Sequence, residues 1–163
     1  MTTKYILQGH TAKVNCAALS PTNMEAVSGS DDCTIIVWDL KNTQILKKLV
    51  SSSPIDSVAY HPKKRVIVSG DADGCHLWDL ASGKLVATLA LAVQSKFVSV
   101  RFSSDGRKVI TTSHAVCSST DVLTEIRVWD LAKKVAYLVN GSADNLSSDL
   151  VNNSLIGHNF DFI

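Results

Sequence analysis

The tripeptide Trp-Asp-Leu occurs three times, as Trp38-Asp39-Leu40, Trp78-Asp79-Leu80 and Trp129-Asp130-Leu131, and uses all three tryptophans of the 163-residue chain. The tryptophan positions set two successive spacings, 40 and 51 residues. Self-similarity at roughly 20–50 residues marks an array of supersecondary units, each too small to bury its apolar face alone. Within each period, short apolar or alternating runs recur: Val14-Asn15-Cys16-Ala17-Ala18-Leu19, Arg65-Val66-Ile67-Val68 and Phe97-Val98-Ser99-Val100-Arg101-Phe102. Turn chemistry separates them, as in Ser20-Pro21-Thr22-Asn23, His61-Pro62-Lys63-Lys64 and Ser103-Ser104-Asp105-Gly106. Valine occurs 18 times, and β-branched residues fit a pleated, half-buried surface. No stretch keeps a helical period over three turns. An all-β fold is expected.

Upstream of the first tripeptide, Gly9-His10 opens a run that closes as Ser28-Gly29-Ser30-Asp31-Asp32-Cys33-Thr34-Ile35-Ile36-Val37-Trp38-Asp39. This resembles the WD-repeat family, whose unit of about 40–45 residues starts with Gly-His and ends with Trp-Asp. The resemblance covers residues 4 to about 139. It implies a single WD-repeat domain over 1–163: repeat 1 at about 9–49, repeat 2 at about 50–90, repeat 3 at about 91–139, and a tail at 140–163. Each repeat would form one four-stranded antiparallel blade of a β-propeller. The strands fall near 14–19, 25–30, 34–38 and 44–49, then near 55–60, 65–70, 75–78 and 84–90, then near 97–102, 107–113, 125–129 and 134–139. Lys4-Tyr5-Ile6-Leu7 looks like the outer strand of a preceding blade, and Leu155-Ile156-Gly157-His158 like the start of a further repeat. A closed ring takes about four to eight blades, so three blades make an open or partial propeller. The chain is then a fragment of a larger propeller, or it closes its ring by self-association.

His10, Ser28 and Asp32 together invite a hydrolase reading, since nucleophilic catalysis needs an exposed hydroxyl, a base in reach and an oxyanion site. The resemblance assigns them differently, to a buried structural chain of Trp38, Ser28, His10 and Asp32. Their chemistry fits that chain: indole only donates, a hydroxyl does both, imidazole relays and a carboxylate only accepts. Repeat 2 keeps Ser69, Asp73 and Trp78, with Ser51 at the His position and a connection from hydroxyl to Trp one residue shorter. Repeat 3 keeps Thr111 and Trp129, with Val93 at the His position and Asp121 the nearest acid. Blade 1 is accordingly expected to be the most rigid and blade 3 the least.

The family resemblance implies a rigid, non-catalytic scaffold or adaptor for other proteins or peptides. The rim beside the Gly-His loop would carry the contacts: Lys13, Asn15 and Asp31 in repeat 1, Pro54, Asp56 and Ala72 in repeat 2, Lys96 and Val98 in repeat 3. An insertion of 8 residues lies within Ser113–Thr124, between the second and third strands of repeat 3; it is expected as a loop, and loops on rigid scaffolds often carry function. A more specific alternative is a substrate receptor of a cullin-RING ubiquitin ligase, where such receptors place a basic residue two after Trp-Asp. Lys41 fits, while Ala81 and Ala132 hold that place in the later repeats.

Composition removes several other classes. A net charge of +1 with 19% charged residues gives no broad field for nucleic acid or an anionic membrane. The basic runs Lys63-Lys64-Arg65, Lys47-Lys48 and Lys133-Lys134 lack interleaved aromatics for base stacking. No apolar run reaches the ~18 residues of a membrane-spanning helix, and the N-terminus lacks a secretory core. The cytoplasm is the expected location, with the nucleus also open to it. Cys16, Cys33, Cys75 and Cys117 are widely spaced and read as strand residues. The Asn-x-Ser triplets at Asn140, Asn145 and Asn152 read as loop positions. His114 and Cys117 have a ligand-like spacing, but two ligands do not make a zinc site, and neither metal nor cofactor is expected.

Overall fold

Runs of β-branched and small residues, separated by tight turns, return each strand antiparallel to the one before it. A computed structural model of the chain describes residues 6–89, 96–116, 122–133 and 135–140. The first sheet holds β1 (Val14–Leu19), β2 (Glu25–Ser30), β3 (Thr34–Asp39) and β4 (Gln44–Val50), in that order. The second holds β5 (Ile55–Tyr60), β6 (Val66–Asp71), β7 (Gly74–Asp79) and β8 (Lys84–Leu89), and the third β9 (Lys96–Phe102), β10 (Lys108–Val116), β11 (Val122–Asp130) and β12 (Val135–Asn140). Every ladder is antiparallel. The described residues contain no helix. This is the expected all-β architecture: three four-stranded blades, side by side and not closed into a barrel.

Alternation along the strands gives each sheet two apolar faces, and the blades stack through them. Between the first two, Val27, Ile35 and Val37 meet Ile55, Ile67 and Trp78. Between the second and third, Val68, Leu77 and Leu89 meet Val100, Val109 and Trp129. Trp78 and Trp129 thus both face the preceding blade. Trp38 has no such neighbour among the described residues and packs with Ala26, Ile36 and the half-buried Leu7 and Leu40. On that same face Leu19 is 57% exposed and Ile45 47%. Where the first two sheets approach, a Cβ on Gly29 would overlap Ile55 Cγ2 and lie 2.8 Å from Cys16 Sγ, so only glycine fits.

Two local expectations change. The insertion in repeat 3 is not a loop over 113–124: β10 and β11 run on as one longer hairpin, with His114 opposite Thr124 and Val116 opposite Val122. Valine and threonine there favour continued pairing, which satisfies backbone groups that a loop would leave to solvent. Ile6 and Leu7 form no strand; Leu7 instead covers Trp38. Lys4, Tyr5, Val93, Cys117, Asp121 and the tail at 141–163 lie outside the described residues.

Candidate functional site

The polar chain of blade 1 starts on β3, where Trp38 Nε1 donates to Ser28 Oγ at 2.8 Å. Ser28 Oγ lies 2.7 Å from His10 Nε2, and His10 Nδ1 lies 3.0 Å from Asp32 Oδ2. Because the indole can only donate, the directions follow: Ser28 donates to Nε2, and Nδ1–H donates to the carboxylate. Asp32 also accepts from the Thr34 hydroxyl at 2.5 Å and from the amides of Thr34 at 3.0 Å and Thr11 at 2.9 Å. Burial opposes ionisation of Asp32, but Thr34, Thr11 and His10 outweigh it and hold the carboxyl well below the usual carboxylate range. Gly9 precedes the histidine because a Cβ there would lie 2.8 Å from Ile45 Cδ1 and 2.9 Å from Trp38 Cη2. Ser28 is only 7% exposed, and both its hydrogen bonds point into the blade. The arrangement holds a loop to a sheet.

Blade 2 solves the same problem with different residues. Trp78 Nε1 donates to Ser69 Oγ at 2.9 Å, but Asp73 is not part of that network. It is exposed and accepts from the hydroxyls of Ser52 and Ser53, each at 2.6 Å. The missing residue in this connection is the reason. It tightens β6–β7 so that Asp71 pairs with Gly74 across a two-residue turn, and the buried carboxylate becomes Asp71. Asp71 accepts from Ser51 at 2.6 Å and the amides of Asp73 and Gly74 at 2.9 and 3.1 Å, and pairs with His76 Nε2 at 3.1 Å. Burial opposes its ionisation, while His76 and Ser51 keep its carboxyl below the ordinary value. The His76 ring stands 6.3 Å from Trp78, the same separation as His10 from Trp38. An imidazole from β7 has taken the place of one from the entering loop. The sequence signal for it was a histidine two residues before Trp78 and an aspartate seven before it.

In blade 3, Trp129 Nε1 donates to Thr111 Oγ1 at 3.0 Å. The rest of the repeating tripeptide now has a physical reason as well. Asp39, Asp79 and Asp130 each cap the turn that follows, accepting the amides of Lys41, Ala81 and Ala132 at 2.8, 3.0 and 3.1 Å. The amides of Leu40, Leu80 and Leu131 donate back to Met24, Arg65 and Arg107, and each leucine side chain joins the cluster on its blade's tryptophan face.

On the rim beside His10, Lys13 and Asp31 are exposed and Asn15 and Asp56 half-buried. Asn15 Nδ2 donates to Asp31 Oδ1 at 2.6 Å and to the Ile55 carbonyl at 3.1 Å, so it also ties blade 1 to blade 2. Pro54 and Ala72 are exposed on the same rim. Lys96 and Val98 sit on β9, their side chains outside the described residues. Of the basic runs, Arg65 pairs with Glu25 at 2.6 Å and Lys47 donates to the Ala81 carbonyl at 2.9 Å. Tyr60 joins the first pair, donating to Glu25 at 2.5 Å. Sequence reasoning missed this clamp between blades 1 and 2. It also missed His61, buried against Phe102 with ring centroids 5.0 Å apart. Cys16, Cys33 and Cys75 are free thiols; burial pushes Cys16 up to about 11, so it is no nucleophile. Among the described residues, no three of His, Cys, Asp and Glu gather as a metal site, and no helix is long and apolar enough to cross a membrane.

The family profile described as WD domain, G-beta repeat matches residues 1–39 and 43–79. Small ribosomal subunit protein RACK1y of Oryza sativa subsp. japonica is 30% identical over 139 residues, which is 82% of this chain and 39% of that protein. Small ribosomal subunit protein RACK1 of Brassica napus is 28% identical over 141 residues, 78% of this chain and 42% of its own. Cilia- and flagella-associated protein 52 of Mus musculus is 25% identical over 142 residues, 86% of this chain and 22% of its own. The chain spans less than half the length of these relatives.

Proposed function

Because the chain belongs to the WD-repeat family, we propose that it is a non-catalytic scaffold or adaptor that binds other proteins or peptides through the rim carrying His10. One observation carries this reading. The described groupings of serine, histidine and aspartate, around His10 and around His76, are consumed in holding their own blades together, while Lys13 and Asp31 beside the first are left facing solvent. A rim of both charge signs beside apolar positions suits a protein partner. The ligase-receptor alternative keeps only Lys41, in an exposed turn whose backbone Asp39 holds. No cofactor is needed for the scaffold role. The relatives' names place them with the small ribosomal subunit and with cilia and flagella, which supports work within an assembly in the cytoplasm.

The rim reading is tested by affinity capture with the full chain against a Lys13→Glu/Asp31→Lys variant of unchanged circular dichroism. Loss of the captured protein is expected; equal capture would place the contact elsewhere. The outer face of blade 1, with Leu19 and Ile45 exposed, is proposed to receive a further blade, because the tryptophan faces of blades 2 and 3 each receive one. Native mass measurement of the 163-residue chain checks this, with association expected and weakened by Leu19→Lys. A well-folded monomer at every concentration would overturn it.

A further inference from the structure

On the face opposite the His10 rim, the two blade junctions have equivalent positions but different chemistry. At the first junction, Glu25 at the start of β2 takes Arg65 at 2.6 Å and Tyr60 at 2.5 Å, and Lys47 crosses from β4 to the Ala81 carbonyl. Leu80 beneath is 1% exposed. At the second junction the ladders put Val66 where Glu25 was, Phe102 where Tyr60 was and Ala87 where Lys47 was, while Arg107 keeps the place of Arg65. The carboxylate and the bridging lysine are both gone. A cleft of about 190 Å³ opens there, with Val66, Leu77, Leu131 and Ala132 as apolar walls and Lys64 and Arg107 beside them.

We propose that this cleft docks an acidic peptide segment of a partner protein, one apolar side chain filling it and a flanking carboxylate meeting Arg107 as Glu25 meets Arg65. The volume is below the ~300–1,000 Å³ of drug-sized sites and matches a single side chain. Charge favours an acidic partner: Lys63, Lys64, Arg107, Lys108 and Lys133 are exposed on the turns and strand ends around it. The acids among them, Asp79, Asp105 and Asp130, are engaged by the amides of Ala81 and Ser82, of Arg107, and of Ala132 and Lys133. The wall is fixed in advance, because His61 Nδ1 accepts the amides of Lys63 and Lys64, both at 3.0 Å, and its ring packs on Phe102. Burial, then Lys64 and Lys63, hold that ring below the ordinary histidine value, so it is neutral at pH 7. Nucleic acid fits less well, since the one ring lining the cleft, His61, is only 7% exposed and packs on Phe102.

The test uses the full chain and a fluorescent hexapeptide with one leucine among glutamates. Saturable binding is expected, weakened by salt and at least tenfold by Arg107→Glu. Val66→Glu, which puts a carboxylate where Glu25 sits at the first junction, is expected to weaken it similarly, and Lys48→Glu on the outer strand of blade 1 to leave it unchanged. Absence of binding, equal binding by Arg107→Glu, equal binding of a peptide with lysines for glutamates, or displacement by a thymidine dodecamer would each overturn the proposal.

Discussion

Ser28 and Asp73 are both expected from the sequence to belong to a structural side-chain chain, and they differ in what surrounds them. Truncating Ser28 to alanine leaves the Trp38 N–H and a His10 nitrogen unpaired in the interior, and each such group costs about 1–3 kcal/mol. Asp71→Ala strips four donors from a buried site and is expected to cost about 3 kcal/mol or more. Asp73→Ala touches an exposed carboxylate and should stay within roughly 0.5 kcal/mol. Urea denaturation of the three variants checks the ranking; parity of Asp71→Ala and Asp73→Ala would contradict the assignment. Acid adds a second readout. Asp32 and Asp71 are depressed below 3.8 in the folded chain, so the unfolded chain takes up more protons and their stabilisation is lost as pH falls from about 4 downward. His61 is depressed below 6.5, so its stabilisation is present above that value and declines as pH falls through the folded value. A thermal-midpoint profile should therefore show a shallow fall beginning near pH 6.5 and a steeper one below about 4. His61→Asn, which keeps an acceptor for two amides, should remove the first. At this scale the tryptophans and their hydroxyl partners were legible because an indole buried with its N–H needs an acceptor. Asp71 and His76 were not, because a one-residue deletion shifts which carboxylate points inward without changing the residue types present.

Among the elements, the strand positions implied by the family resemblance hold to within about a residue, except where β10 and β11 continue through the insertion. A pairing ladder has no sequence mark for stopping when β-branched residues carry on. Among the described residues, blade 2 is covered on both faces, blade 1 on one face by β5–β8 and on the other by little beyond Leu7 and Leu40. Hydrogen exchange should therefore be slowest in β6 and β7, because burial on two faces outweighs one extra link in a side-chain chain. This departs from the ranking that the tetrad residues alone suggest, in which blade 1 comes first; protection peaking in β2 and β3 would restore that ranking. Gly29→Ala forces Ile55 and Cys16 apart at the first junction and is expected to cost about 1–3 kcal/mol as overpacking, read as a lower urea midpoint with unchanged slope.

For the molecule as a whole, repetition disclosed the architecture but not the differences between junctions, which depend on single residues such as Glu25 and Val66 meeting across blades. The orientation of the tryptophans carries one more consequence. Trp78 and Trp129 each look back toward the blade before their own, so the surface they need is already made when they leave the ribosome. Synthesis at about 5–20 residues per second gives blade 1 about 1–6 seconds to fold before Trp78 arrives to close on it, and blade 2 about 2–8 seconds before Trp129. Assembly thus has a built-in direction, and every new blade is templated by an older one. Trp38 stands apart from this order, since the described residues hold no blade before its own.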